Sequence, residues 1–295
     1  MKEKNSIINI KNLNVEFPIF GGIFQREVSA VHAVKNLSLD IPIGQTIGIV
    51  GESGSGKSTL GKAIINVLKL TAPDVRVNGN IFLNNNNNKK IDLLNLDKVQ
   101  LQKYRPQIQM IFQDPYSSLN PRMIVQDIIQ EPLDLHTNLS KKEKKEKVSW
   151  LLEKVGLSAE QGTRYPHEFS GGQRQRIGIA RSIATEPKII IADEPVSALD
   201  VSIQAQVINL LMDLQEEFKL TIIFIAHDLS VVKHISSNIG VMYLGEIVEY
   251  GEVDDIYNNP KHDYTKALLA SIPIPDPNGR ERRKINRSKV KTYSI

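Results

Sequence analysis

The chain has 295 residues, 41% of them hydrophobic, no cysteine and a formal net charge of +4. That size suffices for one large domain with appendages, and the lack of cysteine excludes disulfides and cysteine-based zinc sites. No stretch approaches the ~18 apolar residues of a membrane span, and the start, MKEKNSIINI, lacks a signal-peptide core, so a soluble, cytosolic chain is expected. The charge does not argue for nucleic acid. Residues 280–295 hold seven basic side chains against one acid, Glu281, so this tail carries +6 and the remainder −2. The tail reads as a solvated end, with an anionic lipid leaflet or an acidic partner as the alternative.

In chain order, the apolar run IGIV (47–50) reads as a buried strand, and Leu60, Ile64, Val67 and Leu68 fall on one face of a helix after Lys57. VRVNGNIFL reads as an antiparallel hairpin turning at Asn78-Gly79, beside the main sheet. Asn84–Asn88 and the two lysines that follow are of low complexity and read as a surface loop. From about 95 to 180 the pattern is helical and loop-rich, with Lys141–Lys147 on a solvated helix face. This block is expected to interrupt the sheet as a helical subdomain, at about 100–180. IIIAD (189–193), TIIFIA (221–226) and NIGVMYL (238–244) read as further buried strands. Their near-continuous apolar character suits parallel strands covered on both faces. From 252 the composition shifts to a short helix in HDYTKALLASIPIPDP, three prolines and the basic tail.

GESGSGKST matches G-x-x-x-x-G-K-[ST] at Gly51, Gly56, Lys57 and Ser58, between a strand and a helix. Glycines let backbone N–H groups face phosphate oxygens, so Gly51, Glu52, Ser53, Gly54, Ser55, Gly56, Lys57, Ser58 and Thr59 form a candidate nucleotide cradle. Lys57 supplies charge for the β- and γ-phosphates, and the Ser58 hydroxyl suits Mg²⁺. Asp193 ends an apolar strand and is the second magnesium candidate. Glu194 follows at the strand's carboxyl edge, placed to polarise a water for in-line attack. His227 ends the next strand and reads as a γ-phosphate contact. Gln113 in MIFQDP is a candidate for the metal or the water.

A second glycine-rich helix start, EFSGGQRQR (168–176), contains no lysine within its FSGGQ core. The first cradle already surrounds one nucleotide, so this one is either structural or serves a nucleotide held by another chain. Ser170, Gly171, Gly172 and Gln173 can present a hydroxyl, N–H groups and a helix dipole to a γ-phosphate from outside.

In order, GESGSGKST, IFQD, FSGGQ, IIIADEP, SALD and IAHD resemble an ABC-type ATPase cassette over residues 7 to about 250. Phe169 stands where the motif usually has leucine, a position expected only to pack. The resemblance implies an α/β fold with a P-loop NTPase (RecA-like) core sheet, an antiparallel β subdomain and a helical subdomain. It implies ATP and Mg²⁺ as cofactors, and a head-to-tail dimer in which Ser170 to Gln173 serve the opposite ATP and Asp200 links the two sites. It also implies an aromatic on adenine, for which Phe17 matches and Phe20 and Phe24 are rivals.

MIFQDPYSSLNPRM and HDYTKALLASIPIPDP are similar to ATPases of bacterial oligopeptide and dipeptide importers, especially the subunit type called F. That resemblance implies an ATPase domain over 1–251 and a C-terminal extension over 252–295. It further implies a second, paralogous ATPase chain, two membrane permeases, an extracytoplasmic peptide-binding protein, and a place at the cytoplasmic face of the membrane. Relatives with a cysteine cluster exist, but no iron–sulfur cluster is expected here. An importer of nickel or another small solute, or a non-transport ABC ATPase, is the alternative. The segment 114–122, directly after Gln113, is expected to help receive a permease helix, unless Tyr116 and Leu119 merely pack the subdomain.

Overall fold

The computed structural model describes residues 6–22, 26–84 and 90–271. The basic tail, the three prolines, Asn85–Asn88 and Phe24 lie outside them.

Ten strands run in chain order: β1 (Ser6–Gly21), β2 (Arg26–Pro42), β3 (Thr46–Val50), β4 (Arg76–Asn84), β5 (Lys90–Asp92), β6 (Ile108–Ile111), β7 (Ile189–Asp193), β8 (Thr221–Ala226), β9 (Asn238–Tyr243) and β10 (Glu246–Glu252). The helices are α1 (Lys57–Ile64), α2 (Leu68–Thr71), α3 (Lys98–Gln102), α4 (Val125–His136), α5 (Lys141–Lys154), α6 (Gly171–Ile183), α7 (Val201–Phe218), α8 (Leu229–Ile235), α9 (Val253–Asn258) and α10 (Asp263–Ala270).

The core sheet has the order β10-β9-β3-β8-β7-β6, and every neighbouring pair is parallel except β10 with β9. β3, β7 and β8 are buried at every residue. That is why they read as unbroken apolar runs. A second, antiparallel sheet has the order β2-β1-β4-β5. Two apolar clusters result: one joins this sheet, α1 and one face of the core sheet, and the other joins α4 to α8 and the opposite face.

Two expectations need correction. The helical block contains β6, a core strand beside β7, so the helical part begins beyond Gln113. Asn78-Gly79 is not a hairpin turn. Both residues lie inside β4, where the register against β1 slips between Lys11 and Asn14. Gly79 takes φ +106°, and a Cβ there would sit 2.5 Å from the Asn12 carbonyl oxygen. The glycine accommodates a bulge rather than a reversal. The antiparallel sheet itself is present as expected.

Candidate nucleotide site

Because β3, β6, β7 and β8 are parallel, their carboxyl ends share one edge of the sheet, where ligands of α/β folds bind. Gly51 follows β3, Gln113 lies just past β6, Asp193 ends β7 and His227 follows β8.

The loop between β3 and α1 is built by three glycines with φ of +154°, +82° and +106° at Gly51, Gly54 and Gly56. A Cβ at Gly51 would meet the Met242 carbonyl at 2.1 Å, and one at Gly56 would meet the Ala33 carbonyl at 2.1 Å. The loop therefore needs glycine for both conformation and space. Lys57 is buried, and its Nζ donates to the carbonyls of Gly51 (2.8 Å) and Glu52 (2.7 Å). Burial pushes its pKa below the ordinary lysine value, against the pull of Glu194, Asp193 and Glu52. A phosphate brought to this ammonium would favour its charged form.

The Ser58 hydroxyl donates to Asp193 Oδ1 at 2.7 Å. Burial raises the Asp193 carboxyl above its ordinary range, and the Ser58 hydrogen bond opposes the shift. These adjacent hard oxygens suit Mg²⁺, which completes its shell with waters and substrate phosphates. Among the described residues no cluster of three or more His, Cys, Asp or Glu side chains is placed to hold a metal alone.

Glu194 takes a left-handed φ of +45°, uncommon outside glycine. Its N–H donates to the Ile225 carbonyl at 2.9 Å, and its own carbonyl accepts from the Ser197 N–H at 3.2 Å and hydroxyl at 3.1 Å. This aims the carboxylate out of the sheet edge. Oε2 accepts from Gln113 Nε2 at 2.8 Å and lies 3.4 Å from His227 Nδ1. Three side chains from three strand ends thus meet at one oxygen.

An open cavity of about 640 Å³ lies over the loop, lined by Gly54, Gly56, Lys57, Ser58 and Thr59 together with Gln113, Glu194 and His227. That size is within the usual range for small-molecule sites. Its far wall is β2 residues Val31, His32, Ala33 and Lys35, with Leu244 after β9. No motif marks these residues.

Phe17 is half-buried on β1 against the apolar cluster and pairs with Val31 in register. It does not line the cavity, whereas its β2 partner does. Phe20 is exposed farther along β1.

The second cradle does not join this cavity. Ser170 caps α6: its Oγ accepts from Gln173 N at 3.3 Å, and Gln173 Oε1 accepts from Ser170 N at 3.0 Å. Ser170 is exposed, while Phe169 before it is buried. A Cβ on Gly172 would lie 2.4 Å from Ile203 Cγ2, and Asp200 is the exposed N-cap of that same helix, α7. FSGGQ and SALD are therefore neighbours on one surface.

Tyr116 is 66% exposed and Leu119 is buried. The Arg174 guanidinium lies 3.7 Å from the Tyr116 ring centre, and Arg181 Nη1 donates to the Ser118 carbonyl at 2.6 Å. Both arginines stand on α6, so the helix that FSGGQ opens also holds the segment after Gln113.

Similarity to known proteins agrees with this geometry. A family model described as ABC transporter matches residues 34–197, and one described as oligopeptide/dipeptide transporter, C-terminal region, matches 248–294. The chain is 52% identical over 284 residues to the oligopeptide transport ATP-binding protein OppF of Bacillus subtilis, covering 96% of this chain and 87% of that protein. It is 50% identical over 281 residues to AppF of the same organism, also an oligopeptide transport ATP-binding protein, covering 95% and 82%. Among solved structures, the dimeric ATP-binding cassette MJ0796 in a post-hydrolysis state with ADP and Pi matches with a TM-score of 0.69. That match has 28% identity and covers 83% of this chain and 98% of that one. CbiO1 of Clostridium perfringens, part of an ABC transporter complex, matches with a TM-score of 0.69 and 25% identity, covering 97% and 99%. A P-loop cradle, strand-end carboxylates and a separate FSGGQ helix in one such chain identify a member of the ABC transporter family, an ABC-type ATPase carrying the oligopeptide/dipeptide transporter C-terminal region.

Proposed function

We propose that this chain hydrolyses ATP to energise uptake of oligopeptides or dipeptides, as one of two ATPase subunits beneath a pair of membrane permeases. The observation that carries the hydrolytic part is the Glu194 carboxylate, fixed by Gln113 at the mouth of the Lys57 cradle. Mg²⁺ fits the oxygen pair of Ser58 and Asp193, with Gln113 in reach of the same edge. Held there, Mg²⁺ would supply positive charge to offset that of the bound phosphates. Glu194 orients the attacking water and accepts its proton, His227 meets the γ-phosphate, and Lys57 steadies the phosphate charge. Phe17, Phe20 and the β2 wall at Val31 and His32 are the candidates for the adenine.

Ser170 to Gln173 are not among the residues that line the cavity of their own chain, which supports a head-to-tail dimer in which each FSGGQ helix covers the partner's ATP. Asp200, the exposed N-cap of the neighbouring helix α7, would connect the two sites. The peptide assignment rests on the C-terminal region and on relatives named for oligopeptide transport. Among the described residues no helix is long and apolar enough to cross a membrane. The permeases would span it, fed by an extracytoplasmic binding protein, with this chain docked at the cytoplasmic face.

Docking is assigned to the segment around Tyr116. The sequence has no cysteine, so single cysteines at Tyr116 and Ser117, both exposed, are clean probes. In the assembled complex they should crosslink to a cytoplasmic permease loop, and Tyr116→Glu should keep ATPase activity in the isolated chain while abolishing peptide uptake. Crosslinks only to the other ATPase, or uptake at the wild-type level, would refute this docking.

A further inference from the structure

The C-terminal region folds back onto the phosphate loop. β10 pairs with β9, and the Glu249 carboxylate on β10 accepts from the N–H groups of Lys261 (2.8 Å) and His262 (2.9 Å). His262 then caps α10, its Nδ1 accepting from Tyr264 N at 3.2 Å. These contacts deliver the Tyr264 side chain into the core, where it is 1% exposed. Its ring packs on Tyr243 with centroids 4.2 Å apart, and its hydroxyl accepts from the Glu52 N–H at 3.0 Å.

Glu52 is the second residue of the cradle, and its own carbonyl receives Lys57 Nζ at 2.7 Å. The Gly51 carbonyl, in the same peptide unit as the Glu52 N–H, also receives Lys57 Nζ at 2.8 Å, so this stretch of backbone ties the tyrosine to the phosphate-binding lysine. The loop is gripped again three residues on, where Gly245 N–H, just after β9, donates to the Ser55 carbonyl at 3.0 Å. Burial pushes the Tyr264 phenol up to about 12, so it stays neutral at all ordinary pH and remains a permanent hydrogen-bonding partner.

We propose that Tyr264 is a positioning residue for nucleotide binding: through Glu52 it presets the phosphate loop, making the C-terminal region a brace behind the P-loop. The inference rests on reading the cavity as the nucleotide site. Removing the hydroxyl deletes the hydrogen bond that joins α10 to the Glu52 N–H and lets the loop sample conformations in which its N–H groups no longer converge. A preorganised site binds more tightly because less ordering remains to be done on binding.

The test is MgATP binding to the full chain, measured by calorimetry, together with the thermal midpoint, for Tyr264→Phe, Tyr257→Phe and Lys57→Ala. Tyr257 is the matched comparison. It lies in the same region, and its hydroxyl donates to the Leu229 carbonyl rather than to the loop. Tyr264→Phe keeps the ring and its stacking, so its Kd should rise about tenfold, the scale of one lost hydrogen bond. Tyr257→Phe should lower the midpoint comparably and leave Kd unchanged. Equal Kd changes in both tyrosine variants, an unchanged Kd in Tyr264→Phe, or failure of that variant to fold would overturn the brace. Lys57→Ala separates the two layers. Wild-type MgATP affinity there would remove the nucleotide reading itself. Lost affinity there with an unaffected Tyr264→Phe would remove only the brace.

Discussion

The chain contains two glycine-rich helix starts, and they use glycine for different physical reasons. In the first, Gly51, Gly54 and Gly56 take left-handed or related φ values that turn the backbone into a concave nest around Lys57. In the second, Gly171 and Gly172 open α6, and neither is among the residues with positive φ. Gly172 is small because Ile203 packs against it, not because its backbone is unusual. The first site brings its own cation and cavity walls. The second offers a capped helix end with an exposed serine whose hydroxyl proton is still available to donate. A nest holds an anion by itself. An open helix N-terminus adds a dipole and one or two donors to an anion already held elsewhere. That asymmetry is what a shared site between two chains requires.

The largest expected effect falls on the first site. Glu194→Gln keeps the size and hydrogen-bonding reach of the side chain but loses its basicity. Turnover should fall by about 10² to 10⁴, with MgATP affinity retained, because Lys57, Ser58 and the loop are untouched. Size-exclusion chromatography with ATP should then show a trapped dimer. Turnover close to that of the wild type would remove Glu194 from the chemistry.

The second substitution separates the two cradles. Ser170→Arg places a bulky cation on the exposed face of α6, outside the cavity. ATP affinity of the isolated chain should be unchanged while turnover falls by about 10², as when one donor to a developing negative charge is lost. Lys57→Ala should do the reverse and weaken binding within the chain that carries it. If Ser170→Arg weakened binding by the monomer as much as Lys57→Ala does, the two cradles would serve one nucleotide, and the contrast between them would collapse.

Much of the first site was legible because strand ends of a parallel sheet converge, and a fully buried parallel strand announces itself as an apolar run. IIIAD and TIIFIA deliver Asp193, Glu194 and His227 directly. β6 is not legible in the same way, because it is four residues long, carries Gln109 and lies within a helical, loop-rich stretch. Asn78-Gly79 misled because a dipeptide that favours positive φ serves a bulge as well as a turn. The β2 wall at Val31, His32 and Lys35 has no motif, since any strand edge facing the loop can form it. Tyr264 was invisible for another reason. Its hydrogen bond to Glu52 spans 212 residues, and nothing local in HDYTKALL encodes a partner that far away.

The smallest effect sharpens the comparison from the other side. Phe169 precedes the second cradle and is 4% exposed, packed into the cluster that joins α4 to α8. Ser170, one residue later, is exposed, so the boundary between packing and binding falls between adjacent residues. If Phe169 only packs, Phe169→Leu removes ring volume that the surrounding aliphatic side chains partly refill, at a cost below about 1.5 kcal/mol. The α6 cap, set by Ser170 and Gln173, should persist, and turnover per folded chain should stay within twofold of wild type. Thermal melting and steady-state ATPase, measured side by side, check this. A several-fold change in turnover at unchanged melting temperature would mean that the ring itself sets the presentation of Ser170, and the second site would then begin one residue earlier than its exposed surface indicates.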